Sequence, residues 1–262
     1  MTEPARPSEP ADWQEFRRKR VAELTEPHGW LTLRGFYWLP TEGVLPGLPG
    51  RWGANAEGAW LEASALDGLY VDGAPLDGRS ERTVAETGRV PWATLDDLEI
   101  ELLNRGGRFA VRLRAETTPE REALTEVPIF DYDESWVIEG RYTAFAEPQH
   151  VEVGTIRPDL RQRIWAFGEV EFTAGDETQK LVATSIRSGL GVEFYDPTNG
   201  VETEAWRQLK FDDPDPEGRV RLDFNYALNM WFAFTPYATC PAPLPDNRVS
   251  VAVRAGERRP TL

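Results

Sequence analysis

The chain has 262 residues, of which 40% are apolar, with ten tryptophans, so it has material for one large or two modest hydrophobic cores. Its formal charge of -15 excludes nucleic acid and anionic membrane as generic partners, because both reward a basic surface. A single cysteine excludes an intramolecular disulfide and a thiolate metal cage, and makes the reducing cytoplasm the expected compartment.

The opening Met1 to Ala11 is polar and proline-bearing, which suits a disordered or surface-draped lead. It lacks the apolar core of a secretory leader, and no run in the chain approaches the ~18 apolar residues of a membrane span. A helix is expected from Asp12, its N-cap, with Trp13, Phe16, Val21 and Leu24 recurring near helical spacing and Pro27 ending it. The run from Arg17 to Arg20 falls on its wet side as a solvated charged face.

From Gly29 the texture changes to short apolar runs cut by glycine and proline. Trp30 to Pro40 reads as a strand, a turn at Arg34-Gly35 and more extended chain. Strands follow at Trp60 to Glu62, at Leu69 to Val71 before the Asp72-Gly73 turn, and at Leu98 to Leu102. The turn Asn104-Arg105-Gly106-Gly107 then leads into Phe109, Val111 and Leu113, the clearest hairpin in the chain. Residues 29–115 therefore form one antiparallel sandwich or barrel-like half.

Glu116 to Pro128 is acidic and proline-flanked, a connection between halves. Strands resume at Trp136 to Phe145, Val151 to Ile156, Ile164 to Phe172, Lys180 to Ile186 and Leu190 to Phe194. Val220, Leu222 and Phe224 alternate with Arg221, Asp223 and Asn225, and Val249, Val251 and Val253 suggest a last strand. The expected architecture is mainly β: an N-terminal helix within 1–28, then two antiparallel β-rich halves, 29–115 and 129–262.

Between those last two strands lies a segment that mixes Asn225, Tyr226, Asn229, Cys240, Asn247 and Arg248 with apolar residues and with Pro236, Pro241, Pro243 and Pro245. Buried polar groups must find partners, so this concentration marks the expected site.

The stretch DWQEFRRKRVAELTEPHGWLTLRGFYWL, YDPTNG, LDFN, FTPYATCPAPLPDNR and AVRAGE together resemble a bacterial and archaeal family defined only as a domain of unknown function, number 1684. The resemblance covers nearly the whole chain. Family members typically carry Asn-Pro-Pro-Cys after LDFN, where this chain has Asn229-Met230-Trp231-Phe232, so a two-thiol mechanism is not carried over. The resemblance also implies an N-terminal half similar to a forkhead-associated sandwich. The Ser-x-x-His of a phosphothreonine reader is missing, and Asp72 stands where the turn asparagine would lie, so phosphopeptide reading is not expected.

Cys240, in Ala-Thr-Cys-Pro, has neither a helix start nor a histidine near in sequence to make a thiolate. No G-x-S-x-G elbow, metal-ligand set or phosphate-cradling loop appears, and no cofactor is expected. Two function classes stay open. One is a small-ligand-binding or interaction protein, its pocket in the C-terminal half lined by Asn225, Tyr226, Asn229, Cys240, Asn247 and Arg248, with an unknown small molecule or protein as partner. The other is a hydrolase-like enzyme using Asp223, Asn225, Tyr226, Cys240 and Arg248, in which Asp223 and Cys240 are the catalytic candidates. Asp223 and Asn225 could equally fix the loop by bonding its backbone.

Overall fold

The computed structural model describes residues 10–186 and 189–261, so most of the polar lead expected over Met1 to Ala11 lies outside the described residues. The chain forms two compact units, one being Glu23–Leu124 and the other joining Met1–Ala22 to Thr125–Leu262.

Glu23–Leu124 holds ten strands: β1 (Leu33–Trp38), β2 (Gly43–Leu45), β3 (Leu48–Ala54), β4 (Ala59–Ala63), β5 (Leu69–Val71), β6 (Ala74–Pro75), β7 (Gly78–Arg82), β8 (Arg89–Leu95), β9 (Leu98–Arg105) and β10 (Arg108–Ala115). They form two antiparallel sheets, of order β1-β10-β9-β8-β5-β6 and β2-β3-β4-β7. Both sheets feed one core, in which Trp52 and Leu61 meet Trp92, Ile100, Leu102 and Val111. The Trp52 and Trp92 rings meet edge to face with centroids 5.5 Å apart, so this unit is a sandwich.

The hairpin expected from Asn104 to Gly107 is present: Arg105 pairs with Arg108, and Gly106 and Gly107 both take positive φ, as a tight two-residue hairpin turn demands. At Arg34-Gly35 the expected turn is instead a bulge within β1, where the register against β10 shifts between Leu33 and Gly35. The acidic connection also contains a short helix, Pro119–Ala123, capped by the Thr118 hydroxyl accepting from the Arg121 N–H at 3.2 Å.

The second unit begins with the helix α1, Ala11–Leu24, so Asp12 lies in its first turn rather than at its cap. Its sheet comprises β11 (Val137–Gly154), β12 (Arg161–Ala174), β13 (Glu177–Ile186), β14 (Gly189–Phe194), β15 (Arg207–Lys210), β16 (Arg219–Asp223) and β17 (Leu228–Asn229). All neighbours are antiparallel in the order β16-β11-β12-β13-β14-β15-β17. The sheet stays open, with β16 and β17 at its edges, so the chain is mainly β with an N-terminal helix and three antiparallel sheets, none closed into a barrel. One face carries the core of Val170, Phe172, Leu181, Val192, Phe194, Leu209, Leu222 and Phe224.

The strand expected at Val249, Val251 and Val253 is not there. Val249 and Val253 are buried in the core, but the segment is irregular. The end of the segment is bonded to a side chain instead of a strand, because the buried guanidinium of Arg207 donates to Val253 O at 2.8 Å and, just beyond, to Ala255 O. Gly256 then turns the chain at φ 77°, with the oxygen of Ala227 only 2.5 Å from where a Cβ would stand.

Candidate functional site

The residues named from sequence separate into three places, each with its own partners. The first is the end of β16. That strand stops at Asp223, and Phe224–Tyr226 forms a 3-10 turn, so Asp223 and Asn225 do not share a strand face. Asp223 caps this turn: its Oδ1 accepts from the Asn225 N–H at 3.1 Å and from Asn225 Nδ2 at 2.9 Å. Its Oδ2 takes Arg221 Nη2 at 2.8 Å and the Tyr132 hydroxyl at 3.4 Å.

Asn225 in turn holds a second backbone stretch, accepting from Asp133 N–H at 3.0 Å and donating to Asp133 O at 2.9 Å. Its own carbonyl accepts from Trp13 Nε1 of α1 at 3.0 Å. Tyr226 packs on Phe16, and burial followed by its hydrogen bond to Asp12 raises its pKa. This constellation ties turn, helix and incoming chain together. Of the two readings open for Asp223 and Asn225, the hydrogen bonds match the one in which they fix backbone.

The second place surrounds Asn229. Its N–H donates to Glu257 Oε2 at 2.7 Å and its Nδ2 to Arg258 O at 2.8 Å. Arg20 of α1 donates to Asn229 O at 2.8 Å and to Glu257 Oε1 at 2.9 Å, in an ion pair with side chains only 3% and 2% exposed. The Arg20 guanidinium also lies over the rings of Trp231 and Phe234. Beside them Arg207 pairs with Asp196 at 2.7 Å, both side chains fully buried. Two arginines and two carboxylates thus clamp the C-terminal segment, each charge carrying a partner, as buried charges require.

The third place is the back of the seven-stranded sheet. In the register, Ala166 of β12 faces Thr184 of β13 and Glu193 of β14 faces Gln208 of β15, all on the face opposite the Val192 and Phe194 core. These four and Gln162 are buried. The proline-bearing loop that includes Thr239 and Cys240 is fastened on this side: Gln162 Nε2 donates to Thr239 O at 3.1 Å, and Ile156 N–H to Cys240 O at 2.9 Å. Cys240 is buried and forms no disulfide.

Asn247 closes the loop by standing in for a strand. Its Oδ1 accepts from Val182 N–H at 2.8 Å, and its Nδ2 donates to Val182 O at 2.9 Å and Glu193 O at 3.0 Å. Arg248, at the exposed end, donates from Nε to Pro245 O and lies over the Tyr195 ring at 4.5 Å. The structure thus brings Asn247 and Arg248 to one side with β14, and Asp223, Asn225 and Tyr226 to another.

Glu193 was not singled out from sequence. In Leu190-Gly191-Val192-Glu193-Phe194 it alternates as a solvated outward residue would, and nothing local signals its burial. In the fold it is 6% exposed, burial raises its pKa, and Thr184 Oγ1 donates to its Oε2 at 2.7 Å.

Two open surface grooves lie elsewhere, one around Trp60, Arg79 and Arg82, the other around Glu139, Arg141, Glu171 and Arg219. None of the candidate site residues named from sequence lines either. Among the described residues no group of three His, Cys, Asp or Glu side chains is placed to hold a metal ion, and no helix is long and apolar enough to cross a membrane.

No curated protein matches the sequence significantly. Among solved structures, the chain is similar to an uncharacterized protein of Haloarcula marismortui determined by solution NMR. The identity is 27% and the TM-score 0.45, over 54% of this chain and 80% of that one. A family model described as "Protein of unknown function (DUF1684)" matches residues 122–258, just over half of the chain and the whole of its seven-stranded sheet. The chain belongs to that family.

Proposed function

We propose that the protein is a small-ligand-binding protein, and that the ligand is met at the buried polar back of the seven-stranded sheet, beneath the loop carrying Thr239 and Cys240. The observation that carries this reading is Glu193, a buried carboxyl whose pKa burial raises although the Thr184 hydroxyl and its own backbone N–H donate to it. A carboxyl shifted toward its neutral form can donate as well as accept, and groups perturbed in this way cluster where ligands bind. Gln208 across the strand pair and Gln162 one strand beyond Thr184 add amide groups on the same face. Pro236, Pro241, Pro243 and Pro245 reduce the freedom the loop must lose to hold a ligand.

The enzymatic alternative would use Asp223, Asn225, Tyr226, Cys240 and Arg248. It would need Asp223 and Asn225 released from the turn and the backbone that they now bond. Native mass spectrometry of the purified chain is the test. A small molecule should accompany the wild type and Glu193→Gln, which keeps a neutral donor, and be lost from Glu193→Ala. Equal retention by the folded alanine variant refutes the placement.

A further inference from the structure

We propose that the Glu23–Leu124 unit binds a small multivalent oxyanion, of the phosphate or sulfate class, at the guanidinium groups of Arg112 and Arg114 beside the ring of Trp30. The two arginines stand two residues apart on β10, so they leave the same face of the six-stranded sheet, opposite the face that sends Val111 and Leu113 into the core. Their side chains are 1% and 3% exposed. Trp30 lies 4.8 Å from the Arg112 guanidinium carbon and 5.4 Å from that of Arg114.

Counter-charge is short. Glu101 is the one carboxylate ion-paired with them among the described residues, its Oε2 2.7 Å from Arg112 Nη2 and 3.4 Å from Arg114 Nε. Its Oε1 is taken by Arg89 Nη1 at 2.7 Å. Glu99, opposite Arg114 in the register, makes no ion pair with it. Three guanidinium groups thus share one carboxylate in a chain whose overall charge is -15.

Donors are in surplus too. Arg112 Nη1 and both Nε and Nη2 of Arg114 are buried without a hydrogen-bond acceptor, while Arg114 Nη1 holds the carbonyls of His28 and Gly29 at 2.9 and 2.7 Å. Burial, then the like charge of Arg112, pushes the Arg114 pKa down to about 10, and burial lowers that of Arg112. Water could fill the open donor positions, but only an anion also supplies the missing charge. Planar forks with free N–H groups match the tetrahedral oxygens of phosphate or sulfate. The cluster meets solvent at Arg89, whose side chain is 60% exposed, and the anion enters there.

The test is isothermal titration of the full chain with inorganic phosphate and sulfate against chloride at constant ionic strength, alongside thermal melting. Saturable binding of the two oxyanions and a melting temperature that rises with them, but not with chloride, is the expected result. Phenyl phosphate is titrated in parallel: binding of inorganic phosphate alone assigns a free anion, and binding of both assigns a phosphate carried by a larger molecule. Glu101→Gln, which removes the competing carboxylate, should bind about tenfold more tightly, while Arg114→Gln should lose the response. If Arg114→Gln fails to fold, Arg89→Gln at the solvent edge should weaken binding severalfold. Equal shifts with all three anions, or variants that respond like the wild type, would overturn the proposal.

Discussion

The side-chain amide of Asn247 pairs with the backbone of Val182 as a neighbouring strand would, accepting from its N–H at 2.8 Å and donating to its carbonyl at 2.9 Å. It does so where the β13–β14 ladder has ended at Thr184 and Gly191, and it reaches Glu193 O as well. Asn247→Ala strands three backbone groups, and with each buried unpaired group costing about 1 to 3 kcal/mol, a loss of about 3 kcal/mol or more is expected. Urea unfolding measures it. A fall below about 1 kcal/mol would mean that the wedge is replaceable by water.

Arg20 and Glu257 lie 237 residues apart and bond at 2.9 Å in the interior. Removing either one alone leaves a buried charge uncompensated, so Arg20→Met should destabilise by about 3 to 5 kcal/mol. The double variant Arg20→Met with Glu257→Met should recover much of that loss, although Asn229 N–H also loses its acceptor. A double-mutant cycle that shows additive losses would place the stabilising effect in the packing of Arg20 on Trp231 and Phe234.

Gly256→Ala should be among the most damaging single-methyl changes in the chain. The residue sits at φ 77°, and an added Cβ would lie 2.5 Å from Ala227 O and 2.8 Å from Phe224 O, so both backbone strain and collision oppose it. A thermal melt should show a loss of several degrees. An unshifted melt would mean that the turn relaxes freely.

Glu193 makes stability depend on pH with a definite sign. Its folded pKa lies above the ordinary 4.5, so below that value both folded and unfolded chains hold the proton and its contribution is complete. As pH rises from there the unfolded chain releases the proton first, and stability falls until the folded pKa has been passed. Glu193→Gln cannot titrate. The variant should therefore gain on the wild type progressively above pH 4.5, and parallel curves would show that the carboxyl is ionised in the fold.

Much of the fold was legible because its signals are local. Alternation marks β9, β10 and β14, and the Gly106-Gly107 pair marks the hairpin, because positive φ at two successive positions is a demand one dipeptide can meet. The segment from Val249 to Val253 misled for the complementary reason. It alternates as a strand does, but its last carbonyl, that of Val253, goes to the guanidinium of Arg207, more than forty residues away in sequence. Glu193, Arg112 and Arg114 escaped notice because period-2 alternation says which residues share a face and not whether that face is wet. Asp223 and Asn225 were noticed as polar residues in apolar surroundings. Nothing in that pattern separates a ligand-facing amide from one that holds a turn.

The helix α1 is made before the rest of its own unit and is completed only by residues near the other end of that unit. Trp13 waits for Asn225, and Arg20 waits for Asn229 and Glu257, while the whole Glu23–Leu124 unit is synthesised in between. That intervening unit can complete its own sandwich as it emerges, since its core draws on no residue outside it. The nascent helix meanwhile carries an arginine whose counter-charge has not yet been translated, and two aromatic rings with nothing to pack on. Stalled or prematurely ended chains therefore leave Trp13 without Asn225 and Phe16 without Tyr226, with both rings turned to solvent.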